Sequence, residues 1–158
     1  MLLVKPAIAP ADCLWRHMVG GAVGSRNIVI TEFDRARLIP LIGEMVASGG
    51  SDDLLPLLAE LDRAQIVAPA AVPPDVVTMN SRVTLIDCET SERMEITLVF
   101  PADADADAGR VSVLAPVGTA IIGYREGETI EWPVPSGVRQ LHIETVHYQP
   151  EAAGDMHL

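Results

Sequence analysis

Apolar positions recur at two different spacings along the chain, and the change falls near residues 69–74. From Thr31 onward, Leu38, Leu41 or Ile42, and Met45 or Val46 return at helical spacing, which predicts one buried helix face. Thr31 can cap this helix, and Asp34 three residues on makes a shortened capping box. Pro40 falls inside the run and predicts a kink, since it removes a backbone donor and crowds the preceding turn. Ser48-Gly49-Gly50-Ser51 ends the helix. A second helix is expected from a cap at Asp53, with Leu54, Leu58, Leu61 and Gln65 along one face and Leu57 flanking it. The two helices, each of roughly 14 to 17 residues and about 20–25 Å, form a short antiparallel hairpin.

After the Pro69–Pro74 boundary the period shortens to that of strands. A short extended segment is expected at Val76–Met79. Val83, Leu85 and Asp87 alternate with Thr84, Ile86 and Cys88, and Glu89–Glu92 reads as the turn to a partner strand, Arg93–Phe100. Val111–Leu114, Thr129–Trp132 and Gln140–Tyr148 complete the sheet. A short apolar helix at Val117–Tyr124 covers one face, with turns at Glu126-Gly127-Glu128 and Pro135-Ser136-Gly137. The expected fold class is α+β, an antiparallel sheet with one covering helix. Residues 1–27 carry Pro6, Pro10, Gly20, Gly21 and Gly24 without periodicity, and read as a flexible extension. The expected division is 1–27 extension, 28–72 hairpin and 73–158 sheet domain.

Composition narrows what such a molecule can do. Of 158 residues, 49% are hydrophobic but only 4% aromatic, so the core is aliphatic and a stacking platform for bases is not expected. The net charge of −11, with no basic run, argues against direct nucleic-acid binding and is compatible with docking on a basic protein surface. No stretch has the roughly 20 apolar residues of a membrane span, and the N-terminus does not read as a signal peptide, so a cytoplasmic protein is expected. Cys13 and Cys88 form no paired motif and are read as reduced thiols.

Candidate chemistry is sparse. Ala102–Gly109 (ADADADAG) lacks the glycine and bidentate glutamate placement of a calcium loop, and reads as a solvated turn. His142 and His147 sit at odd spacing on one strand, so one should pack on the core and the other face solvent, with no shared metal. There is no serine elbow, Walker motif or dinucleotide fingerprint. No catalytic residue, metal or cofactor is expected.

Three strings carry more information: Asp75–Val83 (DVVTMNSRV), Ala115–Gly123 (APVGTAIIG) and Tyr148–Asp155 (YQPEAAGD). Together they resemble the Gre transcript-cleavage factors and a Gre-related family of nucleoside diphosphate kinase regulators. The resemblance covers roughly residues 27–155. It implies a C-terminal domain similar to the FK506-binding-protein fold, without prolyl isomerase activity following from that fold. It also implies docking on RNA polymerase through the loop that here reads Leu114-Ala115-Pro116. Many Gre proteins have serine before that proline, so Ala115 marks a departure in the docking chemistry. Gre factors hold a catalytic magnesium with acidic residues at the tip of a long coiled coil. Here the hairpin tip offers Asp52 and Asp53, whose expected roles are favouring and capping a helix N-terminus, on an arm too short to reach the metal. The expected function is that of a non-enzymatic regulator that occupies the polymerase secondary-channel entrance and competes with Gre-type factors. The alternatives are direct contact with nucleoside diphosphate kinase, and true cleavage stimulation through Asp52 and Asp53.

Overall fold

The computed structural model describes residues 28–50, 54–134 and 137–155, with only the backbone described at 132–134. The expectations for residues 1–27, for Asp52 and Asp53 at the hairpin tip, and for the Pro135-Ser136 turn lie outside these residues.

The chain enters through strand β1 (Val29–Thr31), which passes directly into helix α1 (Glu32–Ala47). The cap is as the sequence indicates: Thr31 Oγ1 accepts the Asp34 backbone N–H at 3.1 Å. Pro40 is taken up inside a continuous 16-residue helix. The buried face is Asp34, Leu38 and Ile42, while Met45 is 40% exposed. Helix α2 (Leu55–Arg63) buries Leu57 and Leu61 against α1, with Leu54 also buried at its start.

Two details of α2 differ from the sequence reading. Leu54 holds the capping position, without a side-chain cap, where Asp53 was expected. The helix has only 9 residues, because Gln65 leaves it. Gln65–Val67 forms strand β2, parallel to β1, with Val29 opposite Gln65 and Thr31 opposite Val67. Gln65 is therefore an exposed strand residue, its N–H bonded to the Ile28 carbonyl at 2.8 Å. Pairing with a strand 36 residues earlier overrides the local helical period, a contact that periodicity does not encode.

The second half is a five-stranded sheet: β3 (Arg82–Asp87), β4 (Arg93–Val99), β5 (Arg110–Ser112), β6 (Thr129–Val134) and β7 (Gly137–Tyr148), in the order β5-β4-β3-β7-β6. Helix α3 (Pro116–Ile121) covers one face, and α4 (Pro150–Ala153) closes the described chain. The α+β class holds, with one departure: β5 runs parallel to β4, and the other pairings are antiparallel. The acidic segment after β4 makes this possible. It turns through a 3-10 helix at Pro101–Asp103 and returns alongside, with Asp105 Oδ1 accepting the N–H groups of Asp107 at 3.1 Å and Ala108 at 3.3 Å. The segment expected as a strand at Val76–Met79 makes only an isolated bridge, Val76 to Arg125.

Alternation along the strands puts Val83, Leu85, Ile96, Leu98, Leu141 and Ile143 into the core beneath Ile121 and Ile122. Leu38, Ile42, Leu57 and Leu61 of the hairpin belong to the same continuous apolar cluster, so the hairpin root is packed on the sheet layer. His142 is buried with Nδ1 at 3.0 Å from Thr129 Oγ1, while His147 is exposed. Their odd spacing does not put them on opposite faces: a register shift between Thr84 and Leu85 cancels it, so His142 pairs with Ile86 and His147 lies 2.6 Å from Thr84 Oγ1 on the same face of β3. Cys88 is disulfide-bonded, which corrects the expectation of a reduced thiol there. No helix among the described residues is long and apolar enough to cross a membrane.

Candidate functional site

The candidate docking loop is built by Ser112. As β5 ends, Val113 is buried with its N–H on the Val99 carbonyl at 2.9 Å, which fixes where the loop leaves the sheet. Ser112 then holds the next two residues: its Oγ accepts the Leu114 N–H at 3.1 Å and its carbonyl accepts the Ala115 N–H at 3.0 Å. Ala115 occupies the capping position of α3 with extended backbone and no side-chain cap. Pro116 follows as the first helical residue, where its missing N–H costs nothing. Thr119 Oγ1 donates to the Pro116 carbonyl at 2.9 Å. Pro116 is exposed, whereas Leu114 and Ala115 are half-buried, so the surface offered at the loop is chiefly the proline ring. Ala115 removes the hydroxyl that would have met the first-turn N–H groups, and Ser112 supplies the organisation from the preceding strand instead.

Gly118 sets the closeness of this packing. A Cβ there would lie 2.2 Å from the Ser112 carbonyl oxygen and 2.8 Å from Val113 Cα, both backbone atoms. Only glycine lets α3 seat against the strand it has just left. At the other end of α3, Gly123 adopts φ +80°, and a Cβ would lie 2.6 Å from Ile28 Cβ. Its carbonyl accepts the Val29 N–H at 3.1 Å and its own N–H donates to Val77 at 2.9 Å. A single short helix thus joins the candidate docking loop at its start to the hairpin root at its end.

A polar strut reinforces that root. Asp34, only 2% exposed, accepts the Met79 N–H at 3.2 Å through Oδ2 and Arg37 at 3.0 Å through Oδ1. The Arg37 guanidinium lies 4.5 Å from the centroid of the Phe100 ring. Thr78 donates to Glu151 Oε2 at 2.7 Å and lies 3.0 Å from Ser81 Oγ. Burial pushes the Glu151 carboxyl above its ordinary pKa, opposed by the Thr78 hydrogen bond. Gln149 Nε2 donates to the carbonyls of Pro73 at 2.7 Å and Val76 at 2.8 Å, and Tyr148 donates its hydroxyl to Asp155. The first and third strings that carried the resemblance are thereby two halves of one hydrogen-bonded joint. Asp34 completes that joint, and sequence reasoning saw only its capping role. The spacing Asp34-Leu38-Ile42, one helix face, was the available signal.

Among the described residues no group of His, Cys, Asp and Glu side chains is arranged to hold a metal ion. Asp52 and Asp53 lie outside these residues, so the candidate site consists of the Leu114-Ala115-Pro116 loop, α3 and the hairpin root.

A five-stranded sheet under one short helix, carrying a proline-tipped loop and a helical hairpin, defines a Gre-type elongation-factor architecture. The family model for the C-terminal part of transcription elongation factors GreA/GreB matches residues 72–148, and that of the Rnk N-terminus matches residues 26–67. The regulator of nucleoside diphosphate kinase from Escherichia coli K12 is 44% identical over 130 residues, 82% of this chain and 95% of that protein. Transcription elongation factor GreA from Azorhizobium caulinodans is 31% identical, over 74% of this chain and 85% of its own. A solved structure, a prokaryotic transcription elongation factor GreA/GreB from Nitrosomonas europaea, superposes with a TM-score of 0.65 at 40% identity, covering 78% of this chain and 99% of that one. The chain belongs to the Gre-related family of regulators of nucleoside diphosphate kinase.

Proposed function

We propose that this protein is a non-enzymatic regulator of transcription that binds RNA polymerase at the rim of the secondary channel. The Leu114-Ala115-Pro116 loop and α3 are the docking surface, and the hairpin of residues 28–72 occupies the channel entrance. It competes there with Gre-type factors and stimulates no transcript cleavage. This reading places it in the cytoplasm, beside the polymerase.

The observation that carries the proposal is the length of the arm and its attachment. Helices of 16 and 9 residues reach about 24 and 14 Å at 1.5 Å per residue. The arm is joined to the docking loop through α3, Gly123 and β1, so it cannot extend further by swinging on a linker. On a body docked at the rim, an arm of this length would end near the entrance, short of a buried metal site.

Stalled elongation complexes provide the test. Added alone, the full chain should leave transcripts intact; added with a Gre factor, it should suppress that factor's cleavage in a dose-dependent way. Transcript shortening by this protein that is lost in Asp53→Ala, with thermal stability retained, would overturn the proposal. So would failure to co-purify with core polymerase at moderate salt while co-purifying with nucleoside diphosphate kinase.

A further inference from the structure

Away from the docking loop, the sheet carries a row of side chains that the proposed function does not use. The register pairs Arg110 of β5 with Thr97 of β4, Thr97 with Arg82 of β3, and Arg82 with Tyr148 of β7. Directly paired residues point to the same side of a sheet, so Arg110, Thr97 and Arg82 lie side by side on one face, and Tyr148, at the register shift next to Arg82, lines the same groove. That face is opposite the one bearing Val83, Ile96 and Leu98, which point into the core. Together with Asn80 and Asp103 the row lines an open groove of about 490 Å³, the size range of small-molecule sites.

The groove differs in charge from the rest of the molecule. The whole chain carries −11, yet here Arg82 and Arg110 balance two carboxylates, Asp103 in the groove and Glu95 beside Arg82. Their backbones are two strands apart, about 10 Å, so their long side chains can converge above Thr97. Arg110 is exposed and has no ion-pair or hydrogen-bonded partner for its side chain among the described residues. Arg82 has only Glu95, at 3.6 Å, and both side chains are more than half exposed, at 53% and 57%. An exposed pair at that distance contributes little, so Arg82 can turn to a better acceptor at small cost. Asn80 is held in the left-handed region, φ 63°, with its N–H on the Leu98 carbonyl, so the side chain beside the arginines sits on a fixed backbone.

We propose that this groove is a binding site for a small phosphate ester. Two guanidinium groups above a threonine hydroxyl supply a fork of donors matched to the oxygens of one phosphate. Asp103 can accept hydrogen bonds from the hydroxyl or amino groups of an ester's organic part, a contact that inorganic phosphate does not provide. The recognised chemistry is therefore a phosphate joined to a hydrogen-bond donor, and the Tyr148 ring walls the groove on the β7 side. The site is about the sheet face alone and is independent of polymerase docking.

Calorimetric titration of the full chain at low ionic strength tests this, with ribose 5-phosphate, inorganic phosphate and ribose as probes. Ribose 5-phosphate should saturate one site and bind more tightly than inorganic phosphate, and ribose should give no binding. Arg110→Gln and Arg82→Gln should each weaken ribose 5-phosphate about tenfold or more, the scale of one charged hydrogen bond. Asp103→Asn should narrow the preference for the ester over inorganic phosphate. All three side chains are on the surface, so the variants should melt with the parent protein, which keeps the comparison valid. Absence of saturable ribose 5-phosphate binding up to about 10 mM, or affinity unchanged in the Arg82→Gln, Arg110→Gln double variant, overturns the proposal.

Discussion

Gly118 and Gly43 are both helical glycines with opposite reasons to be there. Replacing Gly118 by alanine drives a methyl group onto the Ser112 carbonyl at 2.2 Å, and backbone on both sides must shift. Gly118→Ala should cost about 1–3 kcal/mol, read as a lower urea midpoint at an unchanged slope. At Gly43, on α1, a Cβ meets nothing within 4 Å. Gly43→Ala should instead raise stability by about 0.5–1 kcal/mol in the same measurement, because alanine loses less backbone freedom on entering a helix. Asp34 shows how a single buried carboxylate can hold two elements. Asp34→Ala leaves the Met79 N–H without its acceptor and removes the Asp34–Arg37 ion pair, and should cost about 2–4 kcal/mol in denaturant unfolding. A cost below about 0.5 kcal/mol would mean that the strut is not holding the hairpin root.

At the scale of elements, the joint between α4, the Thr78–Ser81 segment and α1 is sensitive to pH through Glu151. Its native pKa is raised above the ordinary 4.5, first by burial. The native state therefore binds the proton more tightly than the unfolded chain. The favourable contribution is complete below the ordinary glutamate pKa and is lost as pH rises through the raised native value. Glu151→Gln keeps an oxygen for the Thr78 hydroxyl and removes the titration. The stability of the glutamine variant relative to the parent should increase from acidic to neutral pH, followed by urea unfolding at several pH values. A difference constant with pH would place the titrating group elsewhere. The hairpin itself illustrates a competition between elements: α2 had apolar spacing sufficient to continue past Arg63, but β1 offered Gln65–Val67 a backbone ladder. The arm became shorter than its sequence pattern.

For the whole molecule the governing quantity is the charge of −11. If docking on polymerase is guided by an acidic body meeting a basic rim, affinity should fall steadily as salt is raised. Exposed charges are screened beyond about 8 Å at 0.15 M ionic strength. Affinity for core polymerase measured across a sodium chloride series, alone and against a Gre factor, checks this. A salt-independent constant would assign docking to the apolar proline loop rather than to the charge. The shared core has a further consequence at this scale. Leu38, Ile42, Leu57 and Leu61 lie in one cluster with the sheet residues, so hairpin and sheet should unfold together rather than as separate units.

What the sequence by itself determined is what near neighbours in the chain control. The change of period near residue 74, the Thr31 cap, the β3–β4 hairpin and the proline that starts α3 all follow from spacing or from one residue's backbone preference. The three strings that carried the family resemblance were legible for the same reason, each being short and continuous. Tertiary structure alone decided the rest. The Asp34–Met79 bond spans 45 positions and the Thr78–Glu151 bond 73, and no local period encodes which buried face meets which. The parallel seat of β5, the early end of α2 and the alignment of Arg110, Thr97 and Arg82 are outcomes of strand pairing between distant segments. Strand pairing fixes register through backbone groups that every residue possesses, so the sequence shows these arginines as scattered positions, and only the folded sheet puts them in one row.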